Sequence, residues 1–217
     1  MAIDWAVVEM AVPLLAQGAV TTLQISGAAI VIGTAAGVGL GMLALGSWAP
    51  ARWFVRAYVD FIRGTPLLVQ IFLVFFALPV LGIRFNETWS GIIALSLNCA
   101  GYVAEIVRAT VGSVELGQSE AAKSIGMTRG QIIYHILLPQ ALRPMLPPMT
   151  NELISLVKNS SLLSVIAVYE LTRAGQAIIT TYFVPFEIYA LIAIYYYAIV
   201  SALAFLSRYF ERKLPVW

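Results

Sequence analysis

Glu152, Ser155, Leu156 and Asn159 lie three, four and seven positions apart. On a helix that spacing places them on one face. A carboxylate and an amide stacked there can hold an ammonium group or a polar side chain, which is binding chemistry rather than bond-making chemistry. The surrounding stretch from Ala141 to Tyr169 is apolar on average, yet it carries Arg143, Glu152, Lys158 and the prolines Pro144, Pro147 and Pro148. An ionisable residue inside an apolar span is expensive and marks a functional candidate. Catalytic chemistry has little material to work with. The chain has one histidine, His135, and one cysteine, Cys99, which excludes an intramolecular disulfide and a tetrahedral thiolate metal site. The carboxylates Glu105, Glu115 and Glu120 are the nearest approach to a cluster, so a membrane enzyme is disfavoured.

A second pattern runs from Glu120 to Pro139. Glu120-Ala121-Ala122, three residues, Gly126, nine residues, then Ile136-x-Leu138-Pro139 occupies 20 residues. Ser119 is expected to cap a short helix with Glu120 in its first turn. Gly126 is expected to end that helix in the left-handed conformation. Thr128 is expected to cap a second helix running to about Leu138. The two short helices would then meet at a glycine turn.

The composition says what must position these residues. Of 217 residues, 60% are apolar and 11% charged, against about 25% charged in an average soluble domain. The mean hydropathy is +0.87. A soluble domain of this length could not bury so much apolar surface, so the chain is read as an integral membrane protein. A net charge of +2 gives no argument for nucleic acid. The start, Met1-Ala2-Ile3-Asp4-Trp5, lacks a positive n-region and does not read as a cleaved signal.

A span needs about 20 apolar residues. Five segments qualify: Gly18–Gly46, Gly64–Ile83, Thr88 to about Arg108, Ala141–Tyr169 and Ile188–Ser207. The expectation is an all-α membrane protein of five transmembrane helices. Ten of the 13 basic residues then fall on one side: Arg52, Arg56 and Arg63; Arg108, Lys123, Arg129 and Arg143; Arg208, Arg212 and Lys213. Arg84, Arg173 and Lys158 fall on the other. Basic loops are cytoplasmic, which predicts an outside N-terminus and a cytoplasmic C-terminus. Trp48, Trp53 and Trp89 fit interface aromatics. Gly27, Gly33, Gly37, Gly39 and Gly41 suit close helix packing. Glu105 and Arg108, one turn apart, are read as an ion pair. Tyr195, Tyr196 and Tyr197 are read as lipid-facing and packing groups, His135 as solvated or at a partner interface, and Cys99 as a small apolar residue. No internal repeat is evident, which weighs against a carrier built from paired halves.

With these residues in place, the chain resembles the permease subunits of bacterial ABC importers. The Glu120-to-Pro139 pattern matches their "EAA" loop at Glu120, Ala121, Ala122, Gly126, Ile136, Leu138 and Pro139. Phe61-Ile62-Arg63-Gly64-Thr65-Pro66-Leu67-Leu68-Val69-Gln70, Ala104-Glu105-Ile106-Val107-Arg108, Leu138-Pro139-Gln140-Ala141-Leu142-Arg143, Lys158-Asn159-Ser160-Ser161-Leu162 and Val168-Tyr169-Glu170-Leu171 are similar to the branch that takes polar amino acids. The resemblance covers residues 17–212 and implies a type I importer permease fold. Residues 1–16 become an N-terminal extracytoplasmic segment, 17–212 the permease domain with its coupling loop at 117–139, and 213–217 a cytoplasmic tail.

That resemblance implies partners: two copies of an ABC ATPase, a second permease subunit (the same or a related chain), an extracytoplasmic amino-acid-binding protein and the amino-acid substrate, in the bacterial inner membrane. No Gly-x4-Gly-Lys-Ser/Thr phosphate loop occurs in this chain, so no cofactor is assigned to it, and ATP and Mg belong to the separate ATPase. The resemblance also implies a mid-membrane amino-acid site on the fourth span with contacts from the second and third. It adds Leu67, Gln70, Asn98 and Met149 to Glu152, Ser155, Leu156 and Asn159. The plainer alternatives are a Glu152 pair with Lys158 or a contact with the second permease, helix-to-helix hydrogen bonds for Asn98 and Gln70, and packing for Leu67 and Met149. Family members that take cationic amino acids often carry Asp at the position of Asn159, which tilts the expectation toward a neutral or acidic polar amino acid. The same architecture importing basic amino acids or opines stays open, as does an ATP-independent carrier or channel.

Overall fold

The computed structural model of the chain describes residues 4–213, with side chains through Tyr209. Arg212, Lys213 and the expected tail at 213–217 lie wholly or in their side chains outside that range.

Apolar, charge-free sequence from Met10 to Ala51 makes one continuous helix, α1 (Trp5–Leu45), whose first turn is capped by Asp4 accepting from the Val7 amide at 3.2 Å. It begins well ahead of the expected Gly18. At about 1.5 Å per residue its 41 residues exceed the roughly 30 Å of hydrocarbon that a span must cross. Its first turns, in the stretch expected to be an N-terminal segment, pack Val7, Ala11 and Leu15 against Leu171, Ala174, Ile178, Ile188 and Ile192.

Helix α2 (Ala49–Gly64) follows and ends where the second span was expected to begin. Thr65 is extended, as the residue before Pro66 is biased to be, and the chain turns through 111° into α3 (Leu67–Phe72). A π-turn (Leu73–Ala77) joins α3 to the short α4 (Leu78–Val80). Helix α5 (Glu87–Gly112) is capped by Asn86, which accepts from the Trp89 amide at 2.9 Å.

The loop that follows holds α6 (Leu116–Ser124) and α7 (Arg129–Ile132). A second π-turn (Ile133–Leu137) leads into α8 (Leu138–Asn159) and a 3-10 stretch (Ser160–Ile166). Each π-turn stands just before a Leu-Pro pair, Leu78-Pro79 and Leu138-Pro139. Proline supplies no amide to close the regular ladder, and a π-turn is one way of accommodating that. Pro139 therefore does not end the helical path as expected; it opens α8. Helices α9 (Leu171–Tyr182), which was not expected, and α10 (Pro185–Lys213) complete the all-helical fold. Among the described residues, three helices are long and apolar enough to cross a membrane, or up to five if each bent pair counts once.

The α1–α5 contact holds the centre together. A Cβ on Gly33, Gly37 or Gly41 would come within 2.6–2.7 Å of the Cβ atoms of Cys99, Val103 and Val107. Three glycines at four-residue spacing thus form a groove for three α5 side chains at the same spacing. Gly27 and Gly39 face open space, so the packing expected of them does not occur among the described residues.

Candidate functional site

Helix α8 carries the polar stripe. Glu152, Ser155 and Asn159 are half-buried. Leu156 is 2% exposed and sits in the main core cluster, while Met149 packs against that cluster from its edge. The Glu152 carboxylate has no hydrogen bond or ion pair among the described residues. Lys158 is exposed, and the two ion pairs among the described residues both use Glu105: Arg108 at 2.7 Å and Arg63 at 3.3 Å. The Glu152–Lys158 pair is therefore not formed. Helix α8 packs on α5.

The two amides expected at the site meet each other instead. Gln70 is buried, and its Nε2 donates to Ile62 O at 2.8 Å, Thr65 O at 3.1 Å and Thr65 Oγ1 at 3.0 Å. Asn98 Nδ2 donates to Gln70 Oε1 at 2.9 Å. Gln70 thus ties the last turn of α2, the Thr65 bend and α5 into one corner. Leu67 packs at the edge of the same core cluster as Met149 and Leu156. No hydrogen bond joins Glu152 to Gln70 or Asn98 among the described residues. The structure brings together Gln70 with Asn98, and Leu67 with Met149 and Leu156 through the core; Glu152, Ser155 and Asn159 line the half-buried face of α8.

A second buried carboxylate, Glu170, was noted in sequence only as part of a motif. It is fully buried and caps α9, accepting from the Arg173 amide at 2.9 Å, Tyr196 OH at 2.9 Å and Thr22 Oγ1 at 3.3 Å. Thr22 Oγ1 in turn accepts from the Leu171 amide at 3.2 Å. The network joins α1, α9 and α10. Tyr196 is therefore a hydrogen-bonding group, and Tyr195 donates to Val12 O at 2.9 Å, beyond the packing role expected of both. Tyr197 is exposed.

The loop has the expected turn with a shifted start. Helix α6 begins at Leu116, so Ser119 lies inside it and donates to Leu116 O at 2.9 Å rather than capping it; Glu120 lies beyond the first turn. Gly126 takes φ +82°, with its amide bonded to Lys123 O at 2.9 Å. Thr128 caps α7 reciprocally with Gln131, as a capping box does. Ala122 is buried and holds α6 against its support, while Glu120, Ala121 and Gly126 are exposed. Leu116 and Ile125, at the two ends of α6, are 75% and 78% exposed. Ile136 and Leu138 are half-buried, and Pro139 is exposed. His135 is exposed. A cleft of ≈ 490 Å³ lies behind α6 and α7, lined by Val111, Ser119, Lys123, Met127 and Ile133.

Residues 29–215 match the family of binding-protein-dependent transport system inner membrane components. The chain belongs to this family. The permease is 38% identical, over the full length of both chains, to the glutamine transport system permease protein GlnP of Escherichia coli K12. It is 37% identical to the arginine transport system permease protein ArtQ of Bacillus subtilis, across 99% of this chain and 98% of that one. The crystal structure of an amino acid ABC transporter with histidines superposes with a TM-score of 0.91 at 35% identity, covering 99% of this permease and 100% of that chain. The fold is that of a type I ABC permease, and the permease is the membrane component of an amino-acid ABC importer. It is a transport subunit, not an enzyme; the ATPase is a separate chain.

Proposed function

We propose that the permease passes a polar amino acid through a site on the α8 face of Glu152, Ser155 and Asn159, with the Gln70–Asn98 pair and the Leu67, Met149 and Leu156 side chains shaping its wall. The observation that carries this is the half-buried Glu152 carboxylate, unpaired among the described residues, on the polar stripe of a mostly apolar helix. Such a group is costly in a membrane unless a partner arrives, and the α-ammonium of an amino acid is such a partner. The amide of Asn159, two turns further along α8, accepts and donates and so suits an uncharged polar side chain. Glutamine-like, neutral or acidic polar cargo is favoured. The GlnP relative agrees with that choice, whereas the ArtQ relative supports basic cargo as the second reading. Uptake of labelled glutamine against arginine by the complex, with Glu152→Gln as the variant, tests it. Loss of uptake with assembly intact is expected, and unchanged uptake contradicts it.

The coupling step uses the α6–Gly126–α7 loop, residues 117–139. Two ATPase copies bind ATP and Mg, close, and push on exposed Glu120, Ala121, Leu116 and Ile125. The loop rides on the helical path that continues into α8, so its movement is transmitted to the Glu152 face. A second permease subunit, the same chain or a related one, completes the pathway, and an extracytoplasmic binding protein delivers the amino acid. In this reading the N-terminus is outside, the C-terminus is cytoplasmic and the membrane is the bacterial inner one. The five spans are α1, residues 64–83 around α3 and α4, α5, α8 with its 3-10 stretch, and α10, and α2 lies along the cytoplasmic interface.

A further inference from the structure

Helix α2 has three faces. Ala51, Val55, Val59 and Ile62 are buried against α1 and α5. Trp53, Phe54 and Phe61 are 74%, 61% and 49% exposed on a second side. Arg52, Arg56, Asp60 and Arg63 share the third and, with Glu105 and Arg108 of α5, line a pocket of ≈ 190 Å³. The 111° bend at Thr65 turns this helix nearly at right angles to α3. A helix lying along the interface with aromatics on one side and arginines on another has the form of a membrane-surface element.

The charges in the pocket are not balanced. Glu105 is occupied by Arg108 and Arg63. Arg52 donates to Gly46 O at 3.1 Å and Ser47 O at 2.7 Å, which fixes it at the end of α1. Arg56 is exposed and makes no hydrogen bond or ion pair among the described residues, although Glu105 is within electrostatic reach. Four arginines against Asp60 and Glu105 leave the pocket net positive. Arg63 and Arg108 remain about half exposed, with side-chain accessibilities of 48% and 52%, so each still offers guanidinium hydrogens to an incoming anion.

We propose that this pocket binds the headgroup of an anionic phospholipid, its phosphate on Arg56 and the free edges of Arg63 and Arg108, its acyl chains against Trp53, Phe54 and Phe61. Guanidinium forks match phosphate oxygens, basic pockets between membrane helices accept such headgroups, and the aromatic face puts acyl chains where a soluble phosphate has nothing to contact. The site is distinct from the Glu152 face and does not depend on the cargo.

The test uses the permease–ATPase complex reconstituted in vesicles of mixed phosphatidylglycerol and phosphatidylcholine, then extracted for native mass spectrometry of retained lipid. The expected result is selective retention of phosphatidylglycerol, reduced about fivefold by Arg56→Gln, less reduced by Arg56→Lys, which keeps the charge but not the fork, unaffected by Arg84→Gln in the loop before α5, and not displaced by excess inorganic phosphate. Equal retention of the two lipids overturns the proposal. So does retention unchanged in Arg56→Gln, loss in Arg56→Lys equal to that in Arg56→Gln, or release by inorganic phosphate, which would make the pocket a site for a soluble anion.

Discussion

Asn98 Nδ2 donates to Gln70 Oε1 at 2.9 Å, and Gln70 donates back across the Thr65 bend to the Ile62 carbonyl at 2.8 Å. One buried amide pair therefore sets how α2, α3 and α5 meet. Replacing Asn98 with Leu removes the donor and strands a buried oxygen, which costs about 1–3 kcal/mol. The expected outcome is a lower melting temperature of the purified complex and faster proteolysis at Gly64–Pro66. Unchanged stability would show that the pair is incidental.

The glycine groove makes a paired prediction. Gly37→Val should force α1 from α5, because a Cβ there already meets the Val103 Cβ at 2.6 Å; overpacking of this kind costs about 1–3 kcal/mol. Gly39→Val, which points into open space, should be close to neutral. Thermal unfolding of the two variants side by side checks the direction of the effect.

Glu170 should matter for assembly of the α1, α9 and α10 end. Glu170→Ala removes a cap and leaves Tyr196 OH and Thr22 Oγ1 without their shared acceptor. Loss of the cap alone is worth about 0.5–2 kcal/mol, so Glu170→Ala should destabilise more than Tyr196→Phe, which deletes the Tyr196 contacts to Glu170 and Thr172 and keeps the cap. Equal melting temperatures for the two variants would contradict the shared network.

Much of this was legible because local chemistry decided it. Gly126 and the Thr128–Gln131 box need only their neighbours in sequence, and the Gly33, Gly37, Gly41 spacing is a packing signal by itself. The unread parts depend on distant partners. A helix-to-helix hydrogen bond was an open alternative for both Gln70 and Asn98, yet nothing near either in sequence names the other as its partner, and nothing near Glu170 announces Thr22 or Tyr196. Helix α9 did carry a local signal, with Leu171, Ala174, Gly175 and Ile178 at helical spacing, but it lay between two apolar spans and read as their connection. The arginines of α2 were counted for orientation, which hid the helix that presents them. Start positions shifted for a related reason: α1 continues to Trp5 because its early turns find an apolar partner in α9 and α10, which hydropathy alone does not reveal.

The proposed coupling through Gly126 has a direct test. At φ +82° only glycine is relaxed, and a bulky side chain is strained whatever the space around it. The permease should be co-reconstituted with its ATPase and binding protein in proteoliposomes, and ATP-driven uptake of labelled glutamine compared between the native chain and Gly126→Val. Uptake that requires ATP and falls at least about tenfold in the variant, a change of about 1.4 kcal/mol, with the ATPase still bound, is the predicted result. Uptake without ATP, or uptake untouched by Gly126→Val, would contradict the account.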